Sequence, residues 1–238
     1  MNRDFEELIN KYDLEDMYSS ISKFLEQFKE IDVISKSNTE FKNYKDIRNI
    51  VICGMGGSAI GGDIAEIIIH KYLDYPLIIN RSYELPCWIN KNTLVIASSF
   101  SGNTEETISS FKDAYKKGAK IIVISSGGKL QKFAIKHSLD FFKLPSISIQ
   151  PRAALGYSMA AIIYILESIS IIKKTSFSNL LNIAKSVESF KDSKIDKILD
   201  ISNKLYGKIP LIYSSSNIKA IARRFAGQIE ENSKVLSF

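Results

Sequence analysis

Short runs of consecutive apolar residues alternate with helical segments through the middle of the chain. Four β-branched runs predict strands, namely Ile50–Cys53, Leu77–Ile79, Leu94–Ala97 and Ile121–Ile124. The segments between them predict helices near Ser58–Lys71, Asn103–Lys117 and Lys129–His137. Strands that are apolar throughout are typical of a parallel sheet covered by helices on both faces. The pattern therefore predicts a doubly wound α/β domain, with Leu139–Leu144 as a further strand.

The two ends of the chain have a different pattern. Over the first thirty residues an apolar stripe predicts one amphipathic helix, its members being Leu14, Met17, Tyr18, Ile21, Phe24, Leu25 and Phe28. Beyond Pro151 we predict helices over Arg152–Lys174 and Asn179–Leu205, then a strand at Pro210–Ser214. We expect residues 1–150 to hold the N-terminal helix and the α/β domain. Residues 151–238 should form a helical connection and the start of a second, incomplete α/β unit.

Composition narrows the classes of function. The 238 residues are 45% hydrophobic, which is enough for a packed globular core. The net charge of +6 comes from scattered lysines, a distribution that argues against nucleic-acid binding. With two cysteines and no apolar run of membrane-spanning length, we expect a cytoplasmic protein. His70 and His137 have no Cys or His at ligand spacing, so no metal site is predicted.

A glycine-rich loop, Gly54–Asp63, follows the first predicted strand and opens a helix. Glycines let backbone N–H groups approach an anion, and a helix N-terminus offers free donors and a partial positive charge. The loop also fits the dinucleotide pattern Gly-x-Gly-x-x-Ala through Gly54, Gly56 and Ala59. An NAD site would need an acidic residue after the next strand, where Asn80 and Arg81 stand, so only an NADP alternative remains. Phosphate binding and NADP binding both stay open at this loop.

A hydroxyl-rich loop, Ser98–Thr104, follows the next strand and also opens a helix. Its hydroxyls and the helix N–H groups could bind several oxygens of one phosphate. The alternative is that Asn103 or Thr104 only caps the helix, with Glu105 and Glu106 in its first turn. A third candidate is Arg152, which follows a proline at the positive end of a predicted helix.

These segments, in this order, resemble the archaeal and bacterial bifunctional phosphoglucose/phosphomannose isomerases of the sugar-isomerase (SIS) superfamily. The likeness runs from Asn49 to Lys234 and is carried by five motifs: Gly54–Ser58 (GMGGS), Ser99–Thr104 (SFSGNT), Ser126–Leu130 (SGGKL), Pro151–Leu155 (PRAAL) and Gln228–Lys234 (QIEENSK). The resemblance implies an SIS-type doubly wound parallel sheet flanked by helices, with an incomplete second SIS-like unit.

The resemblance also implies a reaction and roles for individual residues. The phosphate of a hexose 6-phosphate would be held by Gly57, Ser58, Ser99, Ser101 and Thr104. Glu231 would be the general base that moves a proton between C1 and C2 through a cis-enediol, and Arg152 would stabilise the enediolate. Fructose 6-phosphate would be interconverted with glucose 6-phosphate, mannose 6-phosphate or both. No cofactor or metal is implied, and the partner implied is a second copy in a homodimer.

Two departures from the family pattern matter. Glu230 stands where the family usually has asparagine, beside the proposed base. The family's downstream histidine, contributed across a dimer interface, and its later lysine have no counterpart in these residues. The alternative to an isomerase is therefore a non-catalytic sugar-phosphate-binding SIS protein or an incomplete fragment of the isomerase.

Overall fold

The centre of the fold is a five-stranded sheet in which every neighbouring pair of strands is parallel. The computed structural model describes residues 3–37, 40–174, 176–191 and 194–238. The strands are β1 (Asn49–Cys53), β2 (Leu77–Asn80), β3 (Thr93–Ser98), β4 (Lys120–Ser125) and β5 (Asp140–Lys143). They lie in the order β2-β1-β3-β4-β5. The five strands predicted between Ile50 and Leu144 and the doubly wound α/β fold are confirmed.

Both faces of the sheet are covered, which explains why the central positions of its inner strands are consecutively apolar. Side chains of a strand point alternately to opposite faces. Ile50 and Ile52 pack in the core on one face, whereas Val51 and Cys53 pack in the core on the other. A strand with water on one side would alternate apolar and polar residues, and β1 does not.

Helices cover the two faces of the sheet unequally. The helices are α1 (Arg3–Tyr12), α2 (Met17–Ser22), α3 (Glu26–Ser37), α4 (Gly56–Ile69), α5 (Glu105–Lys116), α6 (Gly128–Lys136), α7 (Leu155–Ser168), α8 (Ser176–Lys191), α9 (Ile195–Leu205) and α10 (Lys219–Ser233). Residues of α3, α4, α7 and α8 share the core of one face, and residues of α5 and α6 share the core of the other. Helix α7 is buried along most of its length. The division of the chain after residue 150 stays a prediction.

The prediction of one long N-terminal helix is wrong, because the chain turns twice within that stretch and forms α1, α2 and α3. The carboxylate of Asp13 accepts hydrogen bonds from the backbone N–H groups of Met17, at 2.8 Å, and Tyr18, at 2.6 Å. Asp16 has a left-handed backbone with φ of 53°, which a continuous helix cannot contain. Leu14, expected in the apolar stripe, is 88% exposed.

The predicted strand at Pro210–Ser214 is also not formed as part of a sheet among the described residues. The segment carries backbone hydrogen bonds to the last residue: Phe238 N–H donates to the Pro210 carbonyl at 3.0 Å, and Ile212 N–H donates to the Phe238 carbonyl at 2.5 Å. A strand needs a longer ladder than this to be recognised as one.

The two long C-terminal helices predicted from the sequence are each divided. A short 3-10 helix, Pro151–Ala153, precedes α7, which ends at Ser168 rather than at Lys174. The second helix is replaced by α8 and α9, and residues 192–193 between them lie outside the described ranges. Within those ranges, no helix combines the length and the hydropathy that a bilayer crossing requires.

Candidate functional site

The strand order places a crevice beyond the carboxyl ends of β1 and β3. From β1 the chain crosses to β2 on one side, and β3 then pairs on the other side of β1. In open parallel sheets, ligands bind where the connections diverge in this way. The loops that follow β1 and β3 are Gly54–Met55 and Ser99–Thr104, the first motifs singled out in the sequence. The topology therefore brings the glycine-rich loop and the hydroxyl-rich loop together.

A cavity of about 260 Å³ lies between these loops. It is lined by Met55, Gly56, Gly57, Ser58, Ser99, Phe100, Ser101, Thr104, Pro151, Ala154 and Ser158. A water molecule occupies about 30 Å³ of the liquid, so this volume is roughly that of eight or nine waters and can hold a phosphate with adjoining carbon atoms. All five predicted phosphate-binding residues line this one cavity, and Arg152 lies between two lining residues in sequence.

The hydroxyl-rich loop is held by its own hydrogen bonds. The hydroxyls of Ser99 and Thr104 lie 2.8 Å apart, and Gly102 N–H donates to Ser99 Oγ at 3.1 Å. Gly102 has a φ of +68°, and a Cβ there would lie 1.9 Å from the carbonyl oxygen of Gly127. Only glycine fits this turn, so the loop is built as a rigid support for the serine and threonine hydroxyls.

The glycine-rich loop is packed closely against the turn that carries Arg152. A Cβ on Gly57 would lie 2.7 Å from the carbonyl oxygen of Pro151, closer than real Cβ contacts come. Ser58 is buried, and its hydroxyl lies 3.5 Å from the hydroxyl of Ser158 on α7. The absence of a side chain at residue 57 thus lets the Arg152 turn reach the rim of the cavity.

Neither Asn103 nor Thr104 acts as the simple helix cap that was the alternative for this loop. The Thr104 side chain makes no capping hydrogen bond, because its hydroxyl contacts Ser99 instead. The Asn103 amide donates to the Ser101 carbonyl at 3.3 Å and accepts from Lys129 N–H at 3.1 Å. The first turn of α4 likewise has no capping hydrogen bond from a side chain of the described residues. The first N–H groups of both helices therefore remain available to an anion.

The two acidic residues that open α5 do not face the cavity. Neither Glu105 nor Glu106 lines it. The charge of Glu106 raises the pKa of the Tyr83 hydroxyl, which places this carboxylate beside the loop that follows β2. The negative charges at the start of α5 are thus directed away from the proposed phosphate position.

Arg152 is positioned by the C-terminal part of the chain. Its Nε donates to Asn232 Oδ1 of α10 at 3.0 Å, and its Nη2 lies 3.9 Å from the carboxylate of Glu15. The carbonyl oxygen of Arg152 accepts a hydrogen bond from the guanidinium of Arg224, also on α10. The side chain remains 23% exposed, so its charge can still be approached from the cavity rim.

Glu231 lies on α10 next to Asn232, and its side chain is exposed. It does not line the cavity, and the structure connects it to Arg152 through Asn232 and Arg224 rather than by direct contact. Glu230 points elsewhere, since its carboxylate accepts from the Ser237 hydroxyl at 3.2 Å. The predicted base therefore lies in the same cluster as Arg152, and its acidic neighbour is directed to the C-terminal segment.

The remaining candidates lie apart from this cavity. The guanidinium of Arg81, on which the NADP alternative depended, pairs with Asp63 of α4. His70 pairs with Glu66 at 2.9 Å, and the His137 ring stacks on Tyr115 with ring centroids 4.3 Å apart. Arg81, His70 and His137 thus each have a partner within the protein, and no ligand is needed to explain their positions.

A larger cavity, of about 490 Å³, lies between α4 and the start of α10. Acidic and basic side chains both line it, among them Asp63, Glu66, Lys219 and Arg223. It lies away from the β1 and β3 loops, and its mixed charges do not converge on one ligand group. We therefore place the functional site at the smaller cavity.

Sequence reasoning missed three residues of this site. Ser158 lies in a helix that is buried almost throughout, and nothing in its spacing marks it. Asn232 and Arg224 lie in a polar helix 72 or more residues from Arg152, so their contacts depend on the tertiary fold. The motif containing Asn232 could have suggested it, whereas Arg224 lies outside every motif.

The fold is shared with solved structures of proteins that handle sugar phosphates. The C-terminal domain of glucosamine-fructose-6-phosphate aminotransferase from Francisella tularensis superimposes with a TM-score of 0.70 at 16% identity, covering 93% of this chain and 68% of that chain. Residues 195–238 match the family described as the bacterial phospho-glucose isomerase C-terminal SIS domain. The fold thus places the chain among proteins built on SIS domains.

Relatives in sequence narrow this class. The chain is 39% identical over 226 residues to a bifunctional phosphoglucose/phosphomannose isomerase of Caldicellulosiruptor bescii, with 92% of this chain and 66% of the relative covered. It is 31% identical over 224 residues to a D-glucosamine-6-phosphate 4-epimerase of Sulfolobus acidocaldarius, with 92% and 68% covered. The chain belongs to the family of the bifunctional phosphoglucose/phosphomannose isomerases. It spans about two thirds of the length of the curated relatives it matches, 66% and 68% in these two cases.

Proposed function

We propose that this chain binds a hexose 6-phosphate and carries the base of an aldose–ketose isomerase. The reaction interconverts fructose 6-phosphate with glucose 6-phosphate, mannose 6-phosphate or both, as the names of the isomerase relatives suggest. The single observation that supports this most is the convergence of two uncapped helix N-termini and several hydroxyls on one cavity at the β1/β3 crevice.

The phosphate would be bound by neutral donors. Hydroxyls of Ser58, Ser99, Ser101 and Thr104, together with the backbone at Gly57, line the cavity beside the first turns of α4 and α5. Helix N-termini and oriented N–H groups stabilise anions without a lysine or arginine. Each hydrogen bond to a charged group contributes about 1.5–3 kcal/mol, so several of them suffice for micromolar binding.

The proton transfer would use Glu231 and Arg152. Glu231 removes a proton from C1 of fructose 6-phosphate; the electrons of that C–H bond form the C1–C2 double bond, and the C2 carbonyl oxygen becomes an enediolate oxygen. The fixed positive charge of Arg152 stabilises this oxygen. The proton of the C1 hydroxyl is transferred from O1 to O2, so that O1 becomes the carbonyl oxygen and O2 a hydroxyl. Return of the carbon-bound proton from Glu231 to C2 then gives the aldose without any net oxidation.

A non-catalytic sugar-phosphate-binding protein is the second candidate. It is favoured by the exposure of Glu231, because a general base is most effective in a site that excludes water. A homodimer and a cytoplasmic location complete the proposal, both supported by the resemblance to the isomerases.

Product analysis tests the proposal. The chain is incubated with fructose 6-phosphate and the sugars are identified by NMR, with Glu231→Gln and Glu230→Gln as a matched pair on the same helix. We expect glucose or mannose 6-phosphate, with a rate that falls about 10²–10⁴-fold in Glu231→Gln and little in Glu230→Gln, whose carboxylate is directed to Ser237. A binding protein would retain fructose 6-phosphate unchanged. In a parallel incubation with glucosamine 6-phosphate, a product altered at C4 would instead indicate the reaction named for the Sulfolobus acidocaldarius relative.

A further inference from the structure

Two hydrogen bonds join the turn that carries Arg152 to helix α10, and they run in opposite directions. The guanidinium of Arg224 donates to the backbone carbonyl of Arg152, and the guanidinium of Arg152 donates to the side chain of Asn232 at 3.0 Å. The partners are 72 and 80 residues apart in sequence. Arg224 of α10 therefore holds the main chain of the turn, and Arg152 of the turn holds a side chain of α10.

Arg224 also lies on the face of α10 that carries Glu231. Residues seven apart on an α-helix differ in direction by only about 20° and are separated by roughly 10.5 Å of rise. Arg224 is half-buried, whereas Glu231 is exposed two turns further along. Burial lowers the pKa of the Arg224 guanidinium, while the negative charge of Glu231 acts in the opposite direction. An electrostatic attraction thus connects Arg224 with the proposed base as well as with the Arg152 turn.

We infer that Arg224 is a positioning residue that holds Arg152 and Glu231 on the same side of the reacting C1–C2 pair. It does not line the phosphate cavity, and it acts by fixing the Pro151–Ala153 turn against α10. This inference rests on the proposed function, since it assigns Arg224 to the enediolate end of the same site. Nothing in the motifs of the sequence pointed to Arg224, which lies before the Gln228–Lys234 motif.

The adjacent arginine provides a matched control. Arg223 is on the same helix, carries the same charge and is exposed, but it lines the larger cavity between α4 and α10. Arg223→Gln and Arg224→Gln therefore change the net charge of α10 equally. Only Arg224→Gln removes the contact with the Arg152 carbonyl. Arg224→Lys keeps the charge but not the planar fork of donors.

The experiment compares two ligands by calorimetry. One is glucitol 6-phosphate, which has the phosphate but no carbonyl; the other is a hydroxamate of a five-carbon aldonic acid 5-phosphate, a planar mimic of the enediolate. The ratio of their dissociation constants measures how well the Arg152 end recognises the enediolate, and it needs no turnover. The rate and KM of fructose 6-phosphate conversion are measured beside it.

We expect Arg224→Gln to lower the preference for the hydroxamate about tenfold and kcat by a similar or larger factor, with the glucitol 6-phosphate affinity unchanged. Arg224→Lys should recover part of the loss, and Arg223→Gln should match the parent chain. In a chain that already carries Arg152→Gln, adding Arg224→Gln should cause little further loss of hydroxamate preference, because Arg224 acts by positioning Arg152. A merely structural Arg224 would weaken both ligands alike and lower the melting temperature.

The outcomes separate the inference from the proposed function. If the chain prefers the hydroxamate and loses that preference in Arg224→Gln but forms no aldose, the positioning role stands and the isomerase proposal fails. If the chain turns over substrate and Arg224→Gln behaves like Arg223→Gln, the function stands and the positioning role is overturned. If the chain shows neither preference nor turnover, both are overturned.

Discussion

The sheet region, residues 49–143, and the C-terminal region, residues 195–238, contribute to one site but are buried to very different degrees. Ile96 in the centre of the sheet is 0% exposed, whereas Ile209 and Tyr213 are 60% and 90% exposed. The glycine-rich and hydroxyl-rich loops belong to the first region, and Glu231 and Asn232 belong to the second. The loops proposed to bind phosphate thus stand on a packed sheet core, whereas the proposed base lies in a region with several solvent-exposed apolar residues.

The contrast separates binding from catalysis. Loops held by a close-packed core keep their geometry without a ligand, because small shifts there are costly. Segments with few buried contacts open locally at much lower free energy. We therefore expect the phosphate cavity to persist in conditions that release α10, and catalysis to be lost before binding.

We expect the largest difference in the free energy of unfolding when one isoleucine from each region is replaced by alanine. Ile96→Ala should lower the free energy of unfolding by about 2–5 kcal/mol, since it leaves a cavity in the sheet core, whereas Ile209→Ala should change it by about 0.5 kcal/mol or less. Urea denaturation followed by circular dichroism measures both. Equal losses in the two variants would contradict the difference in packing.

The second prediction compares two glycines with the same backbone conformation. Gly102 and Gly118 have φ of +68° and +69°, so alanine at either should cost about 1–2 kcal/mol of backbone strain. Gly102→Ala should cost more and also weaken phosphate binding, because its Cβ would meet the Gly127 carbonyl, whereas residue 118 has open space. Thermal melts and calorimetric titration with fructose 6-phosphate test this. Indistinguishable variants would mean that the Gly102 turn is not built as described.

A third prediction assigns phosphate binding to the sheet region. Ser99→Ala should weaken fructose 6-phosphate binding about 10- to 100-fold, the equivalent of one hydrogen bond to a charged group. Ser237→Ala removes a comparably buried hydroxyl in the C-terminal region and should leave the affinity unchanged. Calorimetry on both variants checks the assignment, which fails if Ser237→Ala has the larger effect.

The smallest expected effect concerns pH and the sheet core. Burial raises the pKa of the Cys53 thiol from its ordinary value of 9.0 to about 12. Between these values the thiol is ionised in the unfolded chain and protonated in the folded one, so its contribution to stability is present below pH 9 and is lost as the pH rises. Stability should therefore fall more steeply with pH in the parent chain than in Cys53→Ala.

Urea midpoints at pH 8 and pH 10 measure this slope. Cys87 is exposed, so Cys87→Ala serves as the control and should keep the slope of the parent chain. Parallel slopes in the parent chain and in Cys53→Ala would contradict the burial of this thiol.

The sequence was most informative where local pattern and tertiary structure agree. The strands β1, β3 and β4 could be predicted because both faces of the sheet are covered, so that consecutive positions through the middle of each strand are apolar. The loops after β1 and β3 could be placed together because parallel strands end at one edge of a sheet. The phosphate cavity was therefore predictable in outline from chain order alone.

Prediction failed where a single contact decides the structure. The N-terminal apolar stripe continues through Asp13, but the carboxylate of Asp13 captures the N–H groups of Met17 and Tyr18 and starts a new helix. The residues of Pro210–Ser214 are typical of a strand, but among the described residues the backbone of this segment is hydrogen-bonded only to Phe238. Arg224 was not recognised because its role depends on a carbonyl 72 residues away.

The most direct test of the central claim is deuterium exchange at C1 of fructose 6-phosphate in heavy water, followed by NMR. Only removal of the C1 proton by a base within the site can introduce deuterium there at an enzymatic rate. We expect exchange that free phosphate inhibits by competition and that falls by a factor of about 10² or more in Glu231→Gln. Exchange that is absent while fructose 6-phosphate binds, or that persists in Glu231→Gln, would contradict the role of Glu231 as the base.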